Sequence, residues 1–271
     1  MGGGPSSGSA GSGSGSGSSG PLARFDMSGK VALVTGGSRG LGKEMVKAFA
    51  TCGADVVIAS RKLEACEAVA SEVRSQTGRR ALAVGCNVGN WDELDDLVDT
   101  AYREFGHVDV LVNNAGMSLL YPSLSDVTEA MWDKVVNLNM KGVFRLTALV
   151  GTRMMNGNGG SILMISSTGS IRPTPSIIPY AAAKAGMNSM TEGFAKAFGP
   201  TVRVNCIMAG PFMTDVTKSW DVASFERDAK TRFALGRGGQ PEEIVGAALF
   251  FASDASSFST GAVLRVDGGL P

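Results

Sequence analysis

From residue 25 onward the chain predicts a doubly wound α/β fold, a mainly parallel sheet with helices on both faces. Short apolar, β-branched runs recur without polar alternation, which marks strands buried on both sides. Helical stretches separate these runs, as the crossovers between parallel strands require. A glycine-rich turn, Thr35-Gly-Gly-Ser-Arg-Gly-Leu-Gly42, lies between the first run and the first helix, where a helix start can receive a phosphate.

The elements follow in order. Val-Ala-Leu-Val-Thr at 31–35 is the first strand, and a helix runs over 40–52. Strand 55–59 (Asp-Val-Val-Ile-Ala) leads to helix 64–76, and strand 81–85 (Ala-Leu-Ala-Val-Gly) to helix 91–105. Strand 108–112 precedes one long helix over 129–154, then strand 161–165 (Ser-Ile-Leu-Met-Ile) and helix 180–198. Strands 202–206 and 262–266 complete the sheet. In such sheets ligands sit outside the carboxyl ends of the strands.

Composition excludes several functions. The 271 residues carry 25 basic and 25 acidic side chains, which makes no electrostatic case for nucleic acid or an anionic membrane. No apolar run approaches the ~18–20 residues that span a bilayer. Cys52, Cys66, Cys86 and Cys206 are scattered and His107 is the sole histidine, so no metal site is expected and a reducing, cytoplasmic setting is the simplest reading. Met1 to Gly20 is almost wholly Gly and Ser. Residues 1–24 are therefore expected to be a disordered linker, with a Ser-rich organellar leader as the alternative. Residues 25–271 form a single domain.

Polar groups collect at the strand ends. Glycines 36, 40 and 42 allow a tight turn and close backbone approach, and the helix start offers free N–H groups to a pyrophosphate. Ser60-Arg61, Asn87-Val88, Asn113-Asn114-Ala115-Gly116 and Ser166-Ser167 end the next four strands. Tyr180 and Lys184 share one helix face, Cβ atoms about 5–6 Å apart. An ammonium so placed is expected to pull the phenol down from its usual pKa of about 10.

These motifs resemble the short-chain dehydrogenase/reductase family over residues 25–271. They are Thr35-Gly-x-x-x-Gly-x-Gly42, Asn113-Asn-Ala-Gly116, Ser167 thirteen residues before Tyr180, Tyr180-x-x-x-Lys184 and Val266-Asp-Gly-Gly269. Asn139 aligns with the family's asparagine, and Asn137 is two positions out of register. The resemblance implies a seven-stranded sheet in the order 3-2-1-4-5-6-7 and a catalytic set of Ser167, Tyr180, Lys184 and Asn139. Tyr180 would exchange a proton with a carbonyl oxygen while hydride moves to or from a nicotinamide. Lys184 would hold the ribose, Ser167 would polarise the substrate oxygen, and Asn139 would complete a proton relay. Gly36, Ser38, Arg39, Gly40, Leu41, Gly42, Asn114, Ala115, Gly116, Gly210 and Thr214 would line the cofactor site, with Asn87 and Val88 at the adenine.

NAD-preferring relatives carry an Asp where this chain has Ser60, and Arg61 follows. The absence of a carboxylate, with Arg61 and Arg39 able to pair with a 2′-phosphate, favours NADP(H) over NAD(H). The expected partner is a small carbonyl or alcohol, met by Ser118, Leu119, Tyr121, Phe212 and Met213 under a lid over about 210–235. Ile171, Ile177, Ile178 and Trp220 are further candidate walls, and Arg172 and Lys218 are candidate contacts for an anionic substrate. Ala209-Gly210-Pro211 stands where relatives read Pro-Gly, which is expected to loosen or redirect the lid hinge. The resemblance also implies a homo-oligomer, with Ala185, Met187 and Met190 facing outward on the Tyr180 helix. Three readings stay open: an NADP(H)-dependent carbonyl reductase of 3-oxoacyl reductase type, an NAD-linked sugar-acid or polyol dehydrogenase, and a non-catalytic nucleotide-binding scaffold.

Overall fold

The structure, a computed structural model, describes Met1 and residues 20–215, 217 and 221–271. Most of the expected linker lies outside the described residues, as do Lys218 and Trp220. Pro21–Phe25, mostly inside the segment expected to lack structure, form a short 3-10 turn.

Seven strands form one sheet: β1 (Val31–Thr35), β2 (Asp55–Ser60), β3 (Ala81–Gly85), β4 (Val110–Asn113), β5 (Gly160–Ser167), β6 (Val202–Ala209) and β7 (Val263–Val266). Their order is β3-β2-β1-β4-β5-β6-β7, the order the motifs implied, and every neighbouring pair is parallel. The helices are α1 (Gly40–Thr51), α2 (Leu63–Thr77), α3 (Glu93–Phe105), α4 (Glu129–Val136), α5 (Gly142–Met155), α6 (Ile178–Phe198), α7 (Val222–Arg232) and α8 (Val245–Ala252).

The missing alternation in the strand sequences has a direct cause. All five residues of β1 are buried, and successive ones enter different cores. Ala32 and Val34 join Met45 and Phe49 of α1, Val73 of α2 and Phe251 of α8. Val31 and Leu33 join Leu97 of α3, Leu146 of α5 and Met187 and Phe198 of α6. A strand apolar on both faces can stand only between two helical layers. The chain winds outward from β1 to β3, then returns to pair β4 on the other side of β1. The ends of β1 and β4 therefore flank the crevice where such sheets bind ligands.

Three local features depart from the sequence reading. The long helix expected over 129–154 is interrupted by a π-helical turn, Asn137–Lys141. A side chain bonds the backbone at this point. Asn139 Nδ2 donates to Val135 O at 2.8 Å, the carbonyl its own backbone N–H would take in an α-helix, and Gly142 N reaches Asn137 O instead. Helices α7 and α8 were not anticipated. Met187 is fully buried in the core, so of the three α6 residues expected to face outward only Ala185 is exposed.

Gly142 packs directly on the turn after β3: a Cβ there would stand 1.9 Å from Val88 O. Helix propensity predicts that Gly142→Ala stabilises the protein by about 1 kcal/mol, whereas the clash with backbone predicts a loss of about 1–3 kcal/mol. The clash should win, seen as a lower denaturant midpoint at unchanged slope.

Candidate active site

The turns after β1 and β4 are tied side to side. Thr35 Oγ1 donates to Val112 O (3.2 Å) and accepts from the N–H groups of Asn114 and Ala115 (3.1 Å each). Asn114 Nδ2 donates to Thr35 O (2.9 Å) and Gly36 O (3.2 Å). This tie explains two glycines. A Cβ at Gly36, where φ is +65°, would lie 2.7 Å from Asn114 Nδ2, and one at Gly42 would lie 2.2 Å from Gly36 O. Gly40 also has positive φ and stands beside Thr214. Arg39, the N-cap of α1, makes no side-chain cap bond, so the first N–H groups of the helix are left to face a ligand. This cradle fits the pyrophosphate of a dinucleotide. Ser38 is partly exposed and Arg39 exposed on its rim, while the Leu41 side chain packs against the core.

Next along the rim, Ser60 Oγ lies 3.0 Å from Cys66 Sγ, and Arg61 is exposed. Among the described residues neither Arg39 nor Arg61 has an ion-pair partner, whereas Lys43 is committed to Glu72 at 2.8 Å. Asn87 is exposed and accepts from Gly89 N at 3.2 Å, and Val88 is buried. Glu93, which sequence reasoning missed, holds this turn by accepting from Asn87 N (2.7 Å) and Asn90 Nδ2 (2.8 Å). Its position in the first turn of α3 was the available signal.

The four residues of the acid–base set converge at the ends of β4 and β5. Ser167 is the last residue of β5, and its Oγ accepts from Gly169 N at 3.1 Å. Tyr180 and Lys184 lie one turn apart on α6, with Lys184 Nζ 5.7 Å from the Tyr180 ring centre. Asn139 is fully buried on the π turn, its amide held by Met117 O and N (2.8 and 3.2 Å). Gly116 sits among them: a Cβ there would be 2.9 Å from Asn139 Oδ1 and 3.4 Å from Lys184 Nζ.

The electrostatics differ from the expected pairing. Burial pushes the Tyr180 phenol above its usual value, and a hydrogen bond with the Ser167 side chain, not Lys184, pulls the other way. Burial also lowers Lys184 to about 8, opposed by the nearby Cys206. The Lys184 ammonium donates to Ile165 O at 2.7 Å, a bond aimed at β5 rather than at the phenol.

The candidate substrate residues divide. Ser118 is exposed, Leu119 and Met213 are partly buried, and Met213 Sδ packs at Gly238. Tyr121 has its hydroxyl engaged by two backbone groups. Phe212 is 7% exposed and packs in the core against Gly239, so it does not face an open cleft. The Ala209 hinge is not loosened at its start: β6 runs through Ala209, paired with Ser167 and Val266. Gly210 N donates to Val266 O (2.9 Å), and a Cβ at Gly210 would lie 2.6 Å from Asp267 Cα. Met213 N then donates to Gly239 O at 2.8 Å. Ile171 and Arg172 are exposed. Among the described residues no cluster of His, Cys, Asp and Glu could hold a metal, and no helix is long and apolar enough to cross a membrane.

A family model described as enoyl-(acyl carrier protein) reductase matches residues 36–271. The chain is 40% identical to the 3-oxoacyl-[acyl-carrier-protein] reductase FabG of Chlamydia trachomatis over 242 residues, 89% of this chain and 97% of that protein. A crystal structure of a short-chain alcohol dehydrogenase from Sinorhizobium meliloti superposes with a TM-score of 0.87 at 34% identity, covering 91% of this chain and 98% of that one. A 7α-hydroxysteroid dehydrogenase complexed with NADH and 7-oxo glycochenodeoxycholic acid gives 0.87 at 35% identity, covering 91% and 96%.

The lowered Lys184 value has a consequence for stability. Between about pH 8 and its unfolded value near 10.4, Lys184 is neutral in the folded protein and protonated in the unfolded chain. The unfolded state then binds more protons, so this group's contribution to stability rises with pH over that window. Unfolding free energies of the native protein minus those of Lys184→Met should move in the native protein's favour from pH 8 to 10, and be flat from pH 6 to 7.

Proposed function

The chain belongs to the short-chain dehydrogenase/reductase family, oxidoreductases of CH–OH and C=O groups with a nicotinamide cofactor, and from that premise we propose an NADP(H)-dependent carbonyl reductase of 3-oxoacyl reductase type. The observation that carries the acid–base part is a chain of contacts: Asn139 and Lys184 meet at Gly116, Lys184 lies 5.7 Å from the Tyr180 ring centre, and Tyr180 and Ser167 meet at Gly169. A bound nicotinamide supplies the hydride for the carbonyl carbon in reduction and accepts it in oxidation. Tyr180 gives its proton to the carbonyl oxygen as that carbon is reduced, and takes it back in the reverse direction. Ser167 holds the same oxygen through its hydroxyl, which both donates and accepts. Lys184 has three donors and spends one on Ile165 O, which leaves two for a ribose and for the proton path through Asn139.

NADP(H) is supported by charge. The end of β2 offers Ser60 and Arg61 where a carboxylate would repel a 2′-phosphate, and Arg61 and Arg39 are exposed without ion-pair partners among the described residues. The acyl-type substrate is supported by the likeness to 3-oxoacyl-[acyl-carrier-protein] reductase. A lid over 210–235 would close over it. A dimer or tetramer is supported by Phe144 and Trp132, 46% and 44% exposed on the α4–α5 face. A cytosol-like compartment is supported by four free cysteines.

A panel of 3-oxoacyl thioesters, small ketones and sugar acids, run with NADPH and NADH, tests the function. Turnover is expected with the thioesters and NADPH. Nucleotide binding without turnover on any member would leave the scaffold reading instead. Tyr180→Phe should lower kcat by about 10²–10⁴-fold with cofactor binding intact. Retained activity in that variant would remove Tyr180 from the mechanism. Arg61→Ala should raise KM for NADPH roughly tenfold and leave KM for NADH unchanged. Equal effects on both cofactors would overturn the 2′-phosphate assignment.

A further inference from the structure

We propose that Tyr121 is a positioning residue: its hydroxyl clasps the two loops flanking the site and caps the helix that carries Tyr180. This rests on the reading of Tyr180 as the acid–base group.

Tyr121 lies in the segment between β4 and α4, and its partners lie between β5 and α6. Its Oη donates to Pro175 O at 2.7 Å and accepts from Ile178 N at 2.9 Å. A phenol has one proton to give, and Pro175 has it. The hydroxyl is therefore not available as a donor to a substrate, which changes the role expected of this residue.

Ile178 is the first residue of α6, so its N–H has no partner within the helix. The local sequence supplies none either. The N-cap, Ile177, makes no side-chain cap bond, and Ile178 is followed by Pro179. The cap comes from a residue 57 positions upstream. Tyr180 is the third residue of the helix. The next hydrogen bond from the α6 backbone to a neighbouring element, among the described residues, comes at Lys184, where Ser166 Oγ donates to Lys184 O at 3.2 Å. Among the described residues, the backbone of the first turn of this helix is thus hydrogen-bonded to another element only through this phenol, while buried Pro179 and Ala181 pack it. Because reacting groups must meet within a fraction of an ångström, an error of about 1 Å in Tyr180 costs on the order of 10²-fold in rate.

Tyr121→Phe keeps the ring and removes both bonds. Its kcat for carbonyl reduction should fall about tenfold, with KM for NADPH within twofold of the native value. In alcohol oxidation the rise of kcat with pH should begin at lower pH, because burial is the larger influence keeping the proton on Tyr180 and a loosened helix start exposes it. Hydrogen exchange should quicken together at residues 118–122 and 177–181. The exchange measurement needs no substrate, so it judges the clasp even if the proposed reaction fails, and Tyr180→Phe run in parallel judges the acid–base reading. Unchanged exchange in Tyr121→Phe overturns the clasp. Faster exchange with kcat and the pH profile unmoved overturns the positioning role.

Discussion

The tie between Thr35 and Asn114 is the constraint on which the rest of the site depends. It joins the ends of β1 and β4, the two strands between which the chain reverses its winding direction. A gap must open at that point, because the connections from these strands run to opposite sides. Without a cross-link the gap would be lined by two independent turns. The Asn114 amide instead takes two carbonyls of the glycine turn, and the Thr35 hydroxyl takes two N–H groups of the other. Gly36 and Gly42 are required because that amide lies against them, so the same contact that closes the gap leaves the backbone bare for a phosphate.

From that cross-link the site extends by short steps. Gly116, two residues beyond Asn114, meets Asn139 and Lys184. Asn139 reaches that place from the π turn, where its side chain also bonds Val135 O. One amide thereby bonds the helix backbone and occupies the site. Lys184 is anchored to β5 through Ile165 O, and Ser167 ends that strand two residues later. The π turn and α6 thus meet at one glycine, and Lys184 ties α6 on to β5, which fixes the spacing of groups far apart in sequence.

The strands were legible because a parallel sheet buries both faces, and a run such as Val-Ala-Leu-Val-Thr records that burial residue by residue. The polar strand ends were legible because all of them lie on one rim. The π turn was not, since it depends on whether Asn139 bonds forward to Met117 or back to Val135, and it does both. Helix α8 was hidden by uniformity: Val-Gly-Ala-Ala-Leu-Phe-Phe-Ala has no polar face to give a helical period. The 3-10 turn that leads into it, Pro241–Ile244, was nonetheless marked, by Pro241 at its start and a capping box between Gln240 and Glu243. Phe212 and Met187 were misplaced for a common reason. Apolar residues look alike in sequence whether they line a cleft, as expected of Phe212, face a partner, as expected of Met187, or fill the core, and only the packing separates them.

The acid–base pair shows where spacing alone misleads. Two groups one helical turn apart were expected to act on each other directly, the ammonium favouring the phenolate. Burial outweighs that attraction, because it penalises the charged form of each: it raises Tyr180 and lowers Lys184. On raising the pH, Lys184 is therefore the first to lose its proton, near 8, while Tyr180 keeps its own. At neutral pH the phenol is protonated and the amine still largely cationic, the state that the proposed reduction would require. Desolvation thus sets the order in which this pair loses its protons, a property that no motif spacing records.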